Sequence, residues 1–197
     1  MKRNTKQLIP MILVFTIIAA GYSCRILAML DIGGAWMSYI RAALYLLLFS
    51  LWGFSLDRRI IQTQALHCLR LTAALMLLWL ILRTLKYEFV TDLTVARYIW
   101  YLYYLPMLFI PLLGVYIALS LGKSEEFRLT GRIGALAIIP AVLFLLVITN
   151  DLHQQAFTFS SGVPGEPDNY GYSHGPVYFC CLGWMVACMF FSLILLL

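Results

Sequence analysis

Five ionisable side chains lie inside or at the ends of long apolar stretches, where a charge is costly: Arg25, Arg83, Arg97, Asp151 and His153. An arginine inside a membrane span costs about 2.5–3.5 kcal/mol on insertion scales unless it reaches the interface or pairs with another group. Two interpretations are open. Each arginine can anchor a helix end, or Arg25, Arg83 and Asp151 can form the charged lining of a polar pocket. We predict that the five side chains contact a ligand.

The histidines give a weak signal for a metal site. Asp151 and His153 are two residues apart and His174 is a further potential donor, but an Asp-x-His pair lacks the ligand spacing of a zinc site. The five cysteines form no CxxC pair, and most lie in apolar stretches, which is typical of free structural thiols. We therefore predict no metal and no cofactor.

Catalytic motifs are absent from this sequence. It contains neither the GxGxxG nor the GxxxxGK phosphate-binding pattern, and neither the HExxH of a zinc protease nor the GxSxG of a serine hydrolase. An intramembrane protease would need a nucleophile with its base, or two facing aspartates within spans, and neither is evident. The sequence predicts no catalytic residue and no catalytic core in this chain.

The composition excludes a water-soluble fold. The chain has 197 residues, of which 62% are hydrophobic and only 12% charged, with a mean hydropathy of +0.87. Soluble domains have roughly 45–50% apolar and about 25% charged residues. The formal charge of +5 is spread among apolar stretches instead of forming one basic patch, so nucleic acid is not an expected partner. The expected partner is the lipid bilayer.

One stretch carries the membrane assignment most clearly. Residues 98–122 contain no charged side chain, which is long enough for a helix to cross the hydrocarbon core. The stretch opens with an aromatic cluster that is typical of a helix at the headgroup region. It also contains Pro106 and Pro111, which membrane helices tolerate when neighbouring groups bond the freed carbonyls.

Six apolar segments predict an all-α, polytopic transmembrane helix bundle. They cover residues 8–30, 39–56, 71–87, 98–121, 133–149 and 177–197. Helices are expected because lipid allows only helices or closed barrels, and two-residue alternation is absent. The last segment ends in LILLL without a polar flank, so we predict a single domain, 1–197, that is C-terminally incomplete. Residues 150–176 form the longest loop, for which we expect an ordered cap, such as a hairpin with SSGVPGEPDN at its tip.

The basic residues predict an orientation. With the N-terminus in the cytoplasm, the inner side holds nine Lys and Arg residues against five on the outer side, as the positive-inside rule requires. The inner group is Lys2, Arg3, Lys6, Arg58, Arg59, Arg70, Lys123, Arg128 and Arg132; the outer group is Arg25, Arg41, Arg83, Lys86 and Arg97. The loop 150–176 contains no Lys or Arg, which fits an extracytoplasmic position.

Several motifs resemble a known family. RTLKYEF at 83–89, RYIWYLYYLPMLFIPLL at 97–113, SLGK at 120–123 and TNDLHQQAF at 149–157 resemble the N-terminal seven-transmembrane region of bacterial sensor histidine kinases. Tyr170, Tyr172, Gly175, Pro176 and Tyr178 resemble the aromatic Gly-Pro stretch before that region's next span. The similarity runs over most of residues 58–184, and its specificity lies in YYLPMLFIPLL and TNDLHQ.

The resemblance implies a membrane sensor module in a multi-pass protein of the bacterial cell membrane, within a two-component system. Such a module would relay an extracellular or membrane stimulus to a cytoplasmic histidine kinase or other output domain, which this chain does not contain. The implied partners are a small ligand and that signalling domain, with a homodimer left open. The family has seven spans and six are counted here. Because a cytoplasmic N-terminus and a cytoplasmic output domain require an even number of spans, either two more spans follow or the orientation is reversed.

The alternative function is a small transporter or channel. It would require inverted repeats, broken helices in corresponding positions, or charges near the middle of the bilayer. The prolines in the fourth and fifth segments have no evident mirror partner, and the charges lie off-centre. The sensor is therefore the favoured hypothesis.

Overall fold

A computed structural model of the chain describes residues 2–30, 32, 35–56, 62–123, 131–159 and 172–197. The long helices are α1 (Lys2–Met29), α2 (Ala35–Ser55), α3 (Thr63–Thr84), α4 (Leu93–Leu102), α5 (Tyr104–Ser120), α7 (Ile138–Ile148) and α9 (Pro176–Leu196). A π-helical turn, Leu85–Phe89, continues α3, and a short α6 (Gly131–Gly134) and a 3-10 turn (Ala135–Ala137) precede α7. A helical turn, α8 (Asn150–His153), and two strands, β1 (Phe157–Phe159) and β2 (Tyr172–His174), separate α7 from α9.

The predicted all-α membrane bundle is confirmed. The described part of the chain contains four helical stretches that are long and apolar enough to cross a membrane: Trp36–Ser55, Thr63–Phe89, Leu93–Ser120 and Pro176–Leu196. It also contains two shorter apolar helices, Val14–Leu27 and Ala135–Ile148. These six positions correspond to the six apolar segments in the sequence.

Helices that follow one another in the chain pack side by side. Helix α1 contacts α2, α2 contacts α3, α3 contacts α5, and α5 contacts both α7 and α9. A small residue permits close approach at two of these contacts. Gly21 of α1 faces the ring of Tyr45 on α2, and Gly53 of α2 faces Ala73 of α3. We call the end of the bundle that carries β1 and β2 the hairpin end.

Proline accounts for two of the helix irregularities, whereas Pro111 lies within α5 without a break. Helix α4 ends at Leu102, four residues before Pro106, whose ring has no N–H to bond the Leu102 carbonyl and would clash with it. Tyr103 therefore forms a turn between α4 and α5, and its N–H donates to the carbonyl of Trp100 at 3.1 Å. Similarly, the 3-10 turn Ala135–Ala137 lies just before Pro140.

Helix α3 is longer than the apolar segment from which it was predicted. It begins at Thr63, eight residues before the segment 71–87, and its first two turns carry the exposed side chains of His67 and Arg70. Apolarity therefore marks the part of this helix that suits lipid, while the helix itself continues into the polar region beyond.

The loop 150–176 contains an ordered hairpin. Strands β1 and β2 are antiparallel, with Phe157 opposite His174 and Phe159 opposite Tyr172. The loop also begins with the helical turn α8, in addition to the ordered cap expected from the sequence. The predicted tip, SSGVPGEPDN, lies outside the described residues.

Candidate functional site

A buried asparagine organises the hairpin end. Asn150, at the start of α8, is fully buried and uses all four hydrogen-bonding positions of its amide. Its Oδ1 accepts from the N–H groups of Ala156 (2.8 Å) and Phe157 (3.0 Å). Its Nδ2 donates to the carbonyl of Phe157 (2.8 Å) and to the hydroxyl of Tyr101 (3.2 Å). One side chain thus holds β1 against helix α4.

A charged pair extends this cluster. The Tyr101 hydroxyl donates to Oδ1 of Asp151 at 2.8 Å, and Oδ2 of the same carboxylate lies 3.5 Å from Nη2 of Arg97. The side chains of Arg97 and Asp151 are 30% and 26% exposed, so this ion pair is close to the surface of the protein. We call Arg97, Tyr101, Asn150 and Asp151 the hairpin network. It joins α4, α8 and β1.

An aromatic cluster surrounds the network. Phe157 is fully buried, and its ring lies 4.5 Å from that of Trp100, 5.7 Å from Tyr104 and 5.8 Å from Tyr178. The guanidinium carbon of Arg97 lies 5.2 Å from the centre of the Phe159 ring. The hairpin is therefore attached to α4, α5 and α9 by aromatic packing as well as by hydrogen bonds.

His153 closes helix α8. Its Nδ1 accepts from the N–H of Gln155 at 3.0 Å, so the proton of the neutral ring lies on Nε2, which donates to the carbonyl of Leu146 at 3.0 Å. The next residue, Gln154, has φ of 52°, the left-handed conformation common after a helix. The two ring nitrogens of His153 thus bond backbone groups on either side of α8, at Leu146 in α7 and at Gln155.

The hairpin leads directly into α9. The N–H of Gly175 donates to the carbonyl of Ala156 (2.8 Å), and that of Val177 donates to the carbonyl of Gln155 (3.1 Å). A β-carbon at Gly175 would overlap the carbonyl of Gln155, so no other residue fits without a backbone shift. The first turn of α9 is therefore tied to the residues just after α8.

A second polar region lies between α2 and the end of α3. It is a cleft of about 210 Å³ that we call the arginine cleft, lined by Ser38, Arg41, Ala42, Tyr45, Leu80, Arg83, Thr84, Tyr87 and Glu88. The π-helical turn supplies Tyr87 and Glu88. Single π-helical turns in helical proteins are frequent at functional sites.

The five predicted ligand contacts do not form one group. Arg97 and Asp151 belong to the hairpin network, and His153 lies beside it but bonds the backbone of Leu146 and Gln155. Arg83 lines the arginine cleft. Arg25 is exposed on α1, and the part of the chain that the structure describes gives it no ion pair.

Sequence reasoning missed Tyr101, Asn150 and Arg41. Tyr101 belongs to an aromatic cluster interpreted as an interfacial belt, yet Tyr101, Tyr103 and Tyr104 are buried and only Tyr98 is exposed. Asn150 could have been recognised from the sequence, because a buried asparagine at the end of an apolar segment needs hydrogen-bond partners. Within the described residues, no three metal-binding side chains lie close enough to hold an ion.

These features define a class, a polytopic helical membrane protein with a small ordered cap at one end. The chain belongs to the family described as the N-terminal seven-transmembrane region of histidine kinase, whose family model matches residues 37–197. The predicted resemblance is confirmed, and helix α1 lies before the matched region. No curated protein and no solved structure matches the chain. The family is a membrane sensor input region whose partner is a cytoplasmic signalling domain.

Proposed function

We propose that this chain receives an extracellular or membrane stimulus at the hairpin end and relays it through α9 to a cytoplasmic histidine kinase or other output module. The observation that carries this proposal is the continuous bonded path from the hairpin network to the first turn of α9, through Asn150, Ala156 and Gly175. A change at the network would change the position at which α9 begins.

The packing of α9 supports a relay along its length. The indole N–H of Trp184 donates to the carbonyl of Leu108 on α5 at 3.1 Å, and Ser192 lies against Gly114 of the same helix. Helix α9 therefore remains in contact with α5 from its third turn almost to its end. A packed helix pair of this kind can transmit a small shift because packed interfaces tend to have discrete arrangements.

The proposed orientation places the N-terminus in the cytoplasm and the hairpin end outside, supported by the nine-to-five distribution of basic residues. A topology experiment tests it separately from signalling. In Ser173→Cys, the new cysteine on β2 should react with a membrane-impermeant maleimide on intact cells. In Lys123→Cys it should react only after permeabilisation, with the parent chain as background for the native thiols. The reverse pattern would overturn the orientation.

The relay itself is tested with a chimera. The chain is fused after Leu197 to the cytoplasmic part of a histidine kinase, and autophosphorylation is measured in membrane vesicles. We expect Asp151→Asn and Tyr101→Phe to change the basal activity by about five-fold or more, the scale of typical coupling free energies. Ser173→Ala, an exposed change on the same hairpin, should leave it unchanged. If Asp151→Asn and Tyr101→Phe were present in the membrane and both had the activity of wild type, the proposal would be contradicted.

A further inference from the structure

We propose that the arginine cleft binds a phosphate group, carried by a lipid headgroup or by a small soluble ligand. The inference goes beyond the proposed relay, because it concerns binding and can be tested without an output domain. It starts from the charges in the cleft, namely the guanidinium groups of Arg41 and Arg83 and the carboxylate of Glu88.

These charges are not paired with each other. Among the described residues, Arg41, Arg83 and Glu88 form no ion pair, although they line the same cleft. The Arg83 guanidinium lies 5.9 Å from the ring centre of Trp79, and the Nη2 of Arg41 is 3.5 Å from the hydroxyl oxygen of Ser38. Both arginines thus keep most of their donors available, and the planar guanidinium fork matches the geometry of phosphate oxygens.

The neutral side chains of the cleft differ in what they can donate. Thr84 donates its hydroxyl proton to the carbonyl of Leu80 at 2.9 Å, so only its lone pairs remain available. The Ser38 oxygen accepts from Arg41, which leaves its own proton for a ligand oxygen. Beside Arg41 and Arg83, Ser38 is therefore a further donor suited to an anion.

The size and position of the cleft suit a small headgroup or metabolite. Its volume of about 210 Å³ is below the roughly 300–1,000 Å³ that is usual for drug-sized ligands. Ser38 and Tyr45 are separated by about 10 Å along α2 at the rise of an α-helix, so the cleft lies within the first three turns from the hairpin end. The headgroup layer that carries lipid phosphates lies at the ends of membrane-spanning helices, next to the Ser38 end of the cleft.

The walls of the cleft are held from both sides. The ring of Tyr39 on α2 lies 5.7 Å from that of Phe89 on the π-helical turn, which joins the two helices next to the cleft. Tyr45 is supported from behind by α1, since a β-carbon at Gly21 would lie 2.9 Å from the Cε1 of its ring. Both helices that form the cleft are therefore held by packing next to it.

Binding is measured on the whole chain in dodecyl maltoside, a detergent without phosphate. Native mass spectrometry counts retained phosphatidylglycerol, and calorimetry titrates sn-glycerol 3-phosphate. We expect one equivalent to bind in at least one of the two arms. If only the lipid binds, the ligand of the cleft is a lipid headgroup. If the glycerol phosphate binds, a small soluble phosphate can also occupy the cleft. No binding in either arm overturns the proposal.

Four variants test the residues. Arg41→Gln and Arg83→Gln should each weaken binding by about ten-fold or more, because each removes charge-assisted hydrogen bonds. Glu88→Gln should strengthen it, because a carboxylate repels the anion. Lys123→Gln, an equal charge change at the other end of the bundle, should leave binding within about two-fold, since its charge is beyond the reach of screened interactions.

Equal losses in Arg41→Gln, Arg83→Gln and Lys123→Gln would mean that net charge alone controls binding, which would also overturn the site. Circular dichroism and elution as a single species establish that each variant is folded. Arg83→Lys separates the geometry of the guanidinium from its charge, because it keeps the charge and removes the fork. It should bind between wild type and Arg83→Gln.

Discussion

The hairpin network and the arginine cleft are both polar regions at the same end of the bundle, but they differ in how their groups are partnered. In the network, Asn150 uses every hydrogen-bonding position and Asp151 is bonded by Tyr101 and faces Arg97. In the cleft, Arg41, Arg83 and Glu88 form no ion pair among the described residues. Groups satisfied within the protein stabilise its fold, whereas charges without a protein partner are available to a ligand.

The largest effect is expected from Asn150→Leu. The substitution leaves the N–H groups of Ala156 and Phe157 and one carbonyl without partners in a buried place. Each unsatisfied buried group costs about 1–3 kcal/mol, so we expect the free energy of unfolding to fall by about 3–5 kcal/mol. The measurement is the thermal midpoint of helix loss in detergent.

A control for this change is Ser173→Ala at an exposed position of the hairpin. Its thermal midpoint should equal that of wild type within experimental error. If Asn150→Leu also left the midpoint unchanged, the hairpin would not depend on the network. The bonded groups of the hairpin network would then not stabilise the fold, and the contrast with the arginine cleft would be lost.

A smaller effect is expected from Gly175→Ala. The new β-carbon would overlap the carbonyl of Gln155, so the junction of β2 with α9 must shift, at a cost of about 1–3 kcal/mol. Gly183→Ala is the matched change, because nothing lies within 4 Å of a β-carbon there and alanine is favoured in a helix by about 0.5–1 kcal/mol. The thermal midpoints should therefore move in opposite directions. A shift of the same sign for both would contradict the tight junction.

Tyr101→Phe should cost about 1 kcal/mol, the usual net contribution of a hydrogen bond. It removes the hydroxyl that donates to Asp151 and that accepts from Nδ2 of Asn150, but it leaves the ring packed against Phe157. Tyr98→Phe is the control, since Tyr98 is exposed and in the same helix. Equal midpoints for the two variants would show that the Tyr101 hydroxyl contributes nothing beyond its ring.

The fold class could be predicted from sequence because lipid imposes one strong requirement. Backbone groups in a bilayer must be bonded internally, so apolar stretches of sufficient length must be helices. Pro106 and Pro140 also carried local information, since a ring without an N–H interrupts the helix at a defined distance. The family followed from two motifs: YYLPMLFIPLL, which begins at the turn between α4 and α5 and continues into α5, and TNDLHQ, which follows α7.

The grouping of the site residues could not be predicted, because it depends on which helices are neighbours. Arg83 and Arg97 are close in sequence, yet Arg83 faces α2 and Arg97 faces α8. Arg41 joins Arg83 only because α2 packs against the end of α3. Likewise, the burial of Tyr101 depends on the hairpin that covers it, and apolarity alone cannot distinguish such a ring from one at the lipid interface.

The smallest effect on stability is expected in the arginine cleft. Arg83→Gln removes a charge that forms no ion pair among the described residues, so only its contact with the Trp79 ring is lost. An exposed cation–π contact contributes about 0.5–1 kcal/mol, and relief of repulsion from Arg41 offsets part of that loss. We expect the thermal midpoint in detergent without phosphate to stay within about 2 °C of wild type, while added phosphate ligand stabilises wild type and not the variant. A large loss of stability without ligand would mean that Arg83 is a structural residue, and the distinction between the two regions would no longer hold.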